Sequence, residues 1–113
     1  MAELKKAEYW QRGESIDYLN TGSADIPAAS VVVFGGKIGI AGTDIPVGEL
    51  GSLHMEGVYR IPKKASIALA AGDNVKYTDT DGIEKAGSGD AVVGYAVEAS
   101  AASDTTALVK LAG

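Results

Sequence analysis

The chain contains no cysteine, one histidine and only seven aromatic residues. Without cysteine there is no disulfide scaffold, no thiolate zinc site and no cysteine nucleophile. A single histidine excludes a multi-histidine metal site. No run of 18 apolar residues occurs, so no transmembrane helix is expected. The opening Met1-Ala2-Glu3-Leu4-Lys5-Lys6 leads to no apolar stretch, so no signal peptide is expected. Proline is scarce at 3, whereas glycine is plentiful at 15, so turns are many. Hydrophobic residues make up 46% of the 113, but 18 of them are alanine. The core should therefore be thin, within the size of one domain.

Positive charge is also in short supply. Ten Lys and Arg stand against 15 Asp and Glu, a net of −5. An acidic chain repels a phosphate backbone unless it concentrates its basic residues. Here they are scattered, the closest groups being Lys5-Lys6 and Lys63-Lys64, so nucleic acid is not expected as a partner.

Residues 1–12 are polar apart from Leu4, Tyr9 and Trp10, and too weakly periodic for a helix. They read as an extended N-terminal arm. A tryptophan on an arm suits docking, either on its own subunit or on a neighbour. From Gly13 to Gly113 the text reads as a single β domain of about eight short strands separated by turns. Ser15–Leu19 alternates, with Ile16 and Tyr18 opposite Asp17. Val31–Phe34 reads as a strand buried on both faces. Gly35-Gly36 supplies a tight hairpin turn into Lys37–Ala41, with Ile38 and Ile40 on one face. Glu49–Ile61 is strand-like, interrupted by Gly51 and Gly57 and closed by Pro62. Lys63–Ala71 fits a two-turn helix or an irregular loop. Val75–Thr78, an Asp79–Gly82 turn and Ile83–Lys85 form a second hairpin. Ala91–Val97 and Thr106–Leu111 are the last strands. The expectation is a mainly β fold, a small β-barrel or β-sandwich, with the arm and at most one short helix. Val31–Ala41 and Val75–Ala96 echo each other weakly, but their spacings differ.

Motifs for chemistry are missing. Gly35-Gly36-Lys37-Ile38 has neither the upstream glycine nor the Ser/Thr of a phosphate loop, and it opens a strand. Gly87-Ser88-Gly89 lacks a third glycine. Asp79 and Asp81 lack the further ligands of a calcium loop, and turn chemistry accounts for them. His54 sits in Leu53-His54-Met55 with no nucleophile elbow in the chain, and reads as a partly buried structural residue. No enzyme activity, metal or cofactor is expected.

Four stretches carry a resemblance. They are Gln11–Tyr18, then Val31–Ala41 with its central glycines. The third is Gly57–Lys63 followed by Ala71–Tyr77, and the fourth is Val92–Ala99 ending in Ala107–Leu111. In pattern and order the chain resembles the capsid cement, or head decoration, proteins of tailed phages. Members have often been labelled as predicted recombinases of the RecA/RadA kind. This chain has neither the phosphate loop nor the DNA-binding surface such an ATPase needs. The resemblance implies a protein made in the host cytoplasm and carried on the outer surface of the virion capsid. It implies a homotrimer whose partner is the major capsid protein, with no nucleic acid and no membrane. Leu4, Tyr9, Trp10 and Arg12 of the arm are the candidate capsid or subunit contacts.

Two other readings remain beside it. One is a ligand- or saccharide-binding β module of a phage tail or fibre, which would gather its tyrosines on one face. The other is a small enzyme, which would bring His54 to carboxylates in a pocket.

Overall fold

The computed structural model describes residues 5–9 and 11–112. It contains nine strands and, among the described residues, no helix. In chain order the strands are β1 (Ser15–Leu19), β2 (Val31–Phe34), β3 (Lys37–Ala41), β4 (Leu50–His54) and β5 (Val58–Pro62). They continue as β6 (Asn74–Thr78), β7 (Gly82–Lys85), β8 (Gly94–Ala96) and β9 (Thr106–Leu111). Two antiparallel sheets result, one ordered β1-β4-β3-β2 and the other β5-β9-β8-β6-β7.

The hairpin turns are set by glycine. In β2–β3, Phe34 faces Lys37, leaving Gly35 and Gly36 as a two-residue loop. Only Gly35 takes a positive φ, +61°, which matches a type II′ turn. In β6–β7 the loop is one residue longer and Gly82 follows it at φ +79°.

The Glu49–Ile61 stretch is divided between the two sheets. β4 lies in the first and β5 in the second, with the corner at Gly57, φ +119°. Lys63–Ala71 is a loop, pinned by isolated bridges from Lys63 to Ile83 and from Leu69 to Ser100. The expected strand at Ala91–Val97 shortens to Gly94–Ala96. The weak echo has no counterpart in the topology. β3 follows β2 directly, whereas β8 pairs with β6 after an intervening strand.

The second sheet curls until its outer strands meet. The Lys63–Ile83 bridge is parallel, and the Lys64 amide donates to the Ile83 carbonyl at 2.9 Å. Gly82 allows this closure, because a Cβ there would lie 2.4 Å from the Pro62 carbonyl oxygen. The closure is barrel-like. Inside it pack Ile61, Leu69, Val75, Ile83, Val93, Ala96, Ala107, Val109 and Leu111. The β9 alternation holds, with Ala107, Val109 and Leu111 buried together.

β3 joins the two halves. Ile38 and Ile40 point into the core of the second sheet. Ala41, on the opposite face, packs with Val32, Ile45, Leu53 and Met55. Gly39 also sits there, and a Cβ on it would lie 2.8 Å from Met55 Sδ. Burying a side chain such as Leu53 or Ile45 contributes about 1.5–3 kcal/mol, and both are fully buried. Ile16 and Tyr18 cover this second cluster from β1, as their alternation requires.

Two loops clasp the first sheet. Asp25-Ile26-Pro27 and Asp44-Ile45-Pro46 run antiparallel and exchange both Ile26–Ile45 backbone hydrogen bonds, at 3.0 and 2.8 Å. Asp25 Oδ1 accepts from the Val47 amide at 2.9 Å, and Asp44 Oδ1 from the Ala28 amide at 2.8 Å. Each proline is followed by a turn, closed at Ser30 and at Glu49. The third residue of each turn is left-handed, Ala29 at φ +68° and Gly48 at φ +81°. Asn20, only 3% exposed, anchors this clasp. Its side-chain amide donates to the Ala24 and Ile45 carbonyls, both at 2.9 Å, and Oδ1 accepts from Gly22 at 3.0 Å.

Candidate functional site

Of the four arm residues singled out in the sequence, Leu4 and Trp10 lie outside the described residues. Tyr9 is 79% exposed. Arg12 Nη2 lies 3.0 Å from Glu14 Oε1, and both side chains are well exposed. An ion pair so open to solvent contributes little to stability. No hydrogen bond or ion pair among the described residues joins Tyr9 to Arg12.

Sequence reasoning missed three exposed apolar surfaces. The first is at the free end of β1 and β4. Leu19 and Leu50 are cross-strand partners, Leu50 is 68% exposed, and Val47 stands exposed on the adjoining turn. The second is the outer half of β2. Val31 packs inward and Val32 is buried, but Val33 and Phe34 are 45% and 43% exposed. The expectation of a strand buried on both faces is thus corrected for its second half. The Phe34 ring meets Tyr18 edge-on, with centroids 6.2 Å apart. The third crosses the outside of the second sheet. Val58 and Tyr95 flank Lys110 as cross-strand partners, and Lys110 Nζ lies 6.0 Å from the Tyr95 ring centroid. The available signal was strands whose alternate positions are both apolar, as in Val31–Phe34.

The tyrosines do not gather. Tyr18 lies on the first sheet and Tyr95 outside the second, while Tyr59 and Tyr77 pack against the core. Burial, and then the charge of Asp79, raise the Tyr77 phenol above its ordinary pKa. Three of the aspartates beyond β5 serve turns. Asp73, Asp90 and Asp104 each accept from the amide three residues earlier, at 2.7–2.9 Å. Asp90 also meets Lys76 Nζ at 3.3 Å. The Gly87 amide first, and then Lys76, hold its carboxyl below the usual range.

His54 lines a cleft of about 380 Å³ between the sheets, with Val31, Ile40, Tyr59 and Arg60. Its Nδ1 lies 2.8 Å from Ser15 Oγ, and its Nε2 packs where a Gly42 Cβ would stand. The cleft lining has no carboxylate. No set of three metal-ligating side chains occurs among the described residues. The lone Ser–His pair lacks the third group that orients a catalytic imidazole. It holds the start of β1 against β4.

The geometry therefore defines a small antiparallel β protein that presents apolar contact surfaces. A family model described as phage cement protein matches residues 10–111, and the chain belongs to that family. Membership places it among the structural proteins of the phage capsid. No curated protein and no solved structure matches the chain.

Proposed function

We propose that this protein decorates the outer surface of an assembled phage head, bound to the major capsid protein as a trimer, and stabilises the shell against packaged DNA. The family match across residues 10–111 carries the reading. Charge supports the outer surface. A chain of net charge −5 would be repelled by DNA lining the inside. Shape and chemistry support bridging. The chain is 22 Å thick along its shortest axis and carries separate apolar surfaces on its two sheets. Each contact is modest in size. A trimer that engages several capsid subunits at once gains avidity from their number, and its threefold symmetry suits the local threefold sites of a shell.

Co-sedimentation with heads stripped of the protein tests this. Saturable binding at a fixed ratio to the major capsid protein is expected, with copies in multiples of three. Heads that pellet without the protein at every concentration would overturn the reading.

A further inference from the structure

The edge of β2 is unusual for a natural sheet. β2 is the last strand of its sheet, so one side has no partner strand. Natural sheets blunt such edges with charge, proline or a bulge. Val31-Val32-Val33-Phe34 carries neither charge nor proline, and the one bulge lies before it, where Ala29 and Ser30 both bond Ala41. The Ala41 amide donates to the Ser30 carbonyl, so Ser30, Val32 and Phe34 are the hydrogen-bonded positions of the ladder with β3. The N–H and C=O groups of Val31 and Val33 consequently point out of the edge. A groove of about 360 Å³ runs along it, lined by Ile26, Pro27 and Val31–Val33 and flanked by Asp25 and Asp79. Asp25 spends Oδ1 on the Val47 amide, which leaves its second oxygen free for a cation.

The N-terminal segment is the complement of this groove. Residues 5–9 and 11–12 are exposed and carry no strand. Among the described residues, none of the turn and loop backbone hydrogen bonds involves them. Their charges are Lys5, Lys6 and Arg12 against Glu8, a net of +2, whereas residues 13–113 hold seven Lys and Arg against thirteen Asp and Glu. The segment leads into β1, which is the opposite edge of the same sheet from β2.

We propose that the β2 edge is the docking groove for the N-terminal arm, residues 5–12, of a second copy of this chain, which adds to the sheet as a further strand. Backbone pairing to Val31 and Val33 supplies the affinity, and Lys5 and Lys6 against Asp25 and Asp79 supply the register. Donor and acceptor lie on opposite edges, so the contact is head-to-tail. Such contacts close into a ring when the rotation allows. The inference rests on the oligomeric part of the reading above, and it says how the ring is built.

The test uses the full chain, mixed as unlabelled and ¹⁵N-labelled protein and coupled with a zero-length carbodiimide. Conjugates joining Lys5 or Lys6 to Asp25 or Asp79 are expected, about half of them mixed in isotope. Size and mass measurements give the oligomer. Val33→Pro removes an outward amide that β3 does not use, and should weaken association at least tenfold. Lys5→Glu with Lys6→Glu should do the same. Those two side chains are exposed, so this variant keeps its fold even if Val33→Pro does not. Conjugates of one isotope only would show the arm folded onto its own subunit and overturn the proposal. Absence of these conjugates, or unchanged association in the charge-reversed variant, would also overturn it. A monomer that still binds heads would sink this inference and leave head decoration standing. A cross-linked ring that ignores heads would do the reverse.

Discussion

Asn20→Ala should destabilise the protein by about 3 kcal/mol. The magnitude follows from what the side chain holds. Asn20 fills its amide with two carbonyls and its oxygen with one amide, and its own backbone bonds both Gly48 and Glu49. Each side-chain hydrogen bond contributes roughly 1 kcal/mol net. The Ile45 carbonyl keeps its bond from the Ile26 amide after truncation, so the three lost side-chain bonds set the total. Gly22 and Ala24 are exposed and can turn to water. Unfolding entropy of roughly 2.1 cal/mol/K per residue converts about 3 kcal/mol into a fall in Tm of about 12 °C for a chain of this length. Calorimetry at fixed protein concentration reads it. Asn20→Asp is the sharper variant. It keeps the shape but turns an anion toward two carbonyl oxygens, so at pH 7 it should lose at least as much. A loss under about 1 kcal/mol in both variants, less than one of the three bonds is worth, would refute the reasoning.

Ala29→Gly should stabilise the chain by about 0.5 kcal/mol, since relief of a left-handed alanine outweighs the entropy gained by the unfolded chain. Gly48→Ala, its counterpart on the other loop, should destabilise by a similar or larger amount, and paired thermal melts check both signs. Gly94→Ala should cost about 3 kcal/mol, because its Cβ would stand 2.2 Å from the Lys110 carbonyl oxygen, a backbone atom of the partner strand β9. Urea unfolding measures that loss. Asp90 has a depressed carboxyl pKa in the folded chain. Its stabilising contribution is therefore present above the unfolded carboxylate pKa, near 4, and disappears as pH falls through the lower folded value. Asp90→Asn should flatten that acid limb, as read by denaturation from pH 5 to pH 2.

Much of the fold is written locally. The glycines at 35, 36 and 82 mark the two hairpins, and alternation sorts Ile16 from Asp17 and Val109 from Lys110. These features depend on neighbours along the chain, so a sequence carries them. The division of Glu49–Ile61 between two sheets does not. It depends on which distant strands β4 and β5 meet, β1 and β3 for one and β9 for the other. The Asp-Ile-Pro clasp was not legible either, although both copies stand in the sequence at 25–27 and 44–46. Only the bridge between Ile26 and Ile45 makes the two copies one unit. Contact surfaces are harder still. Val33 and Phe34 have the composition of core residues, and only their place at a sheet edge makes them surface. The arm was legible as a segment without regular structure, and Tyr9 and Arg12 are exposed in it. The groove proposed to receive them was not, because it combines Ile26, Val33 and Asp79 from three separate loops and strands.

The protein is proposed to strengthen a phage head. Heat-induced release of packaged DNA measures that strength directly. Heads stripped of the protein should release DNA at a lower temperature than complete heads. Adding the purified protein back should restore the higher temperature, saturating at the bound ratio found by sedimentation. The charge-reversed arm variant, added at the same concentration, should restore less. A release temperature that the added protein leaves unchanged while it occupies the shell would contradict the account.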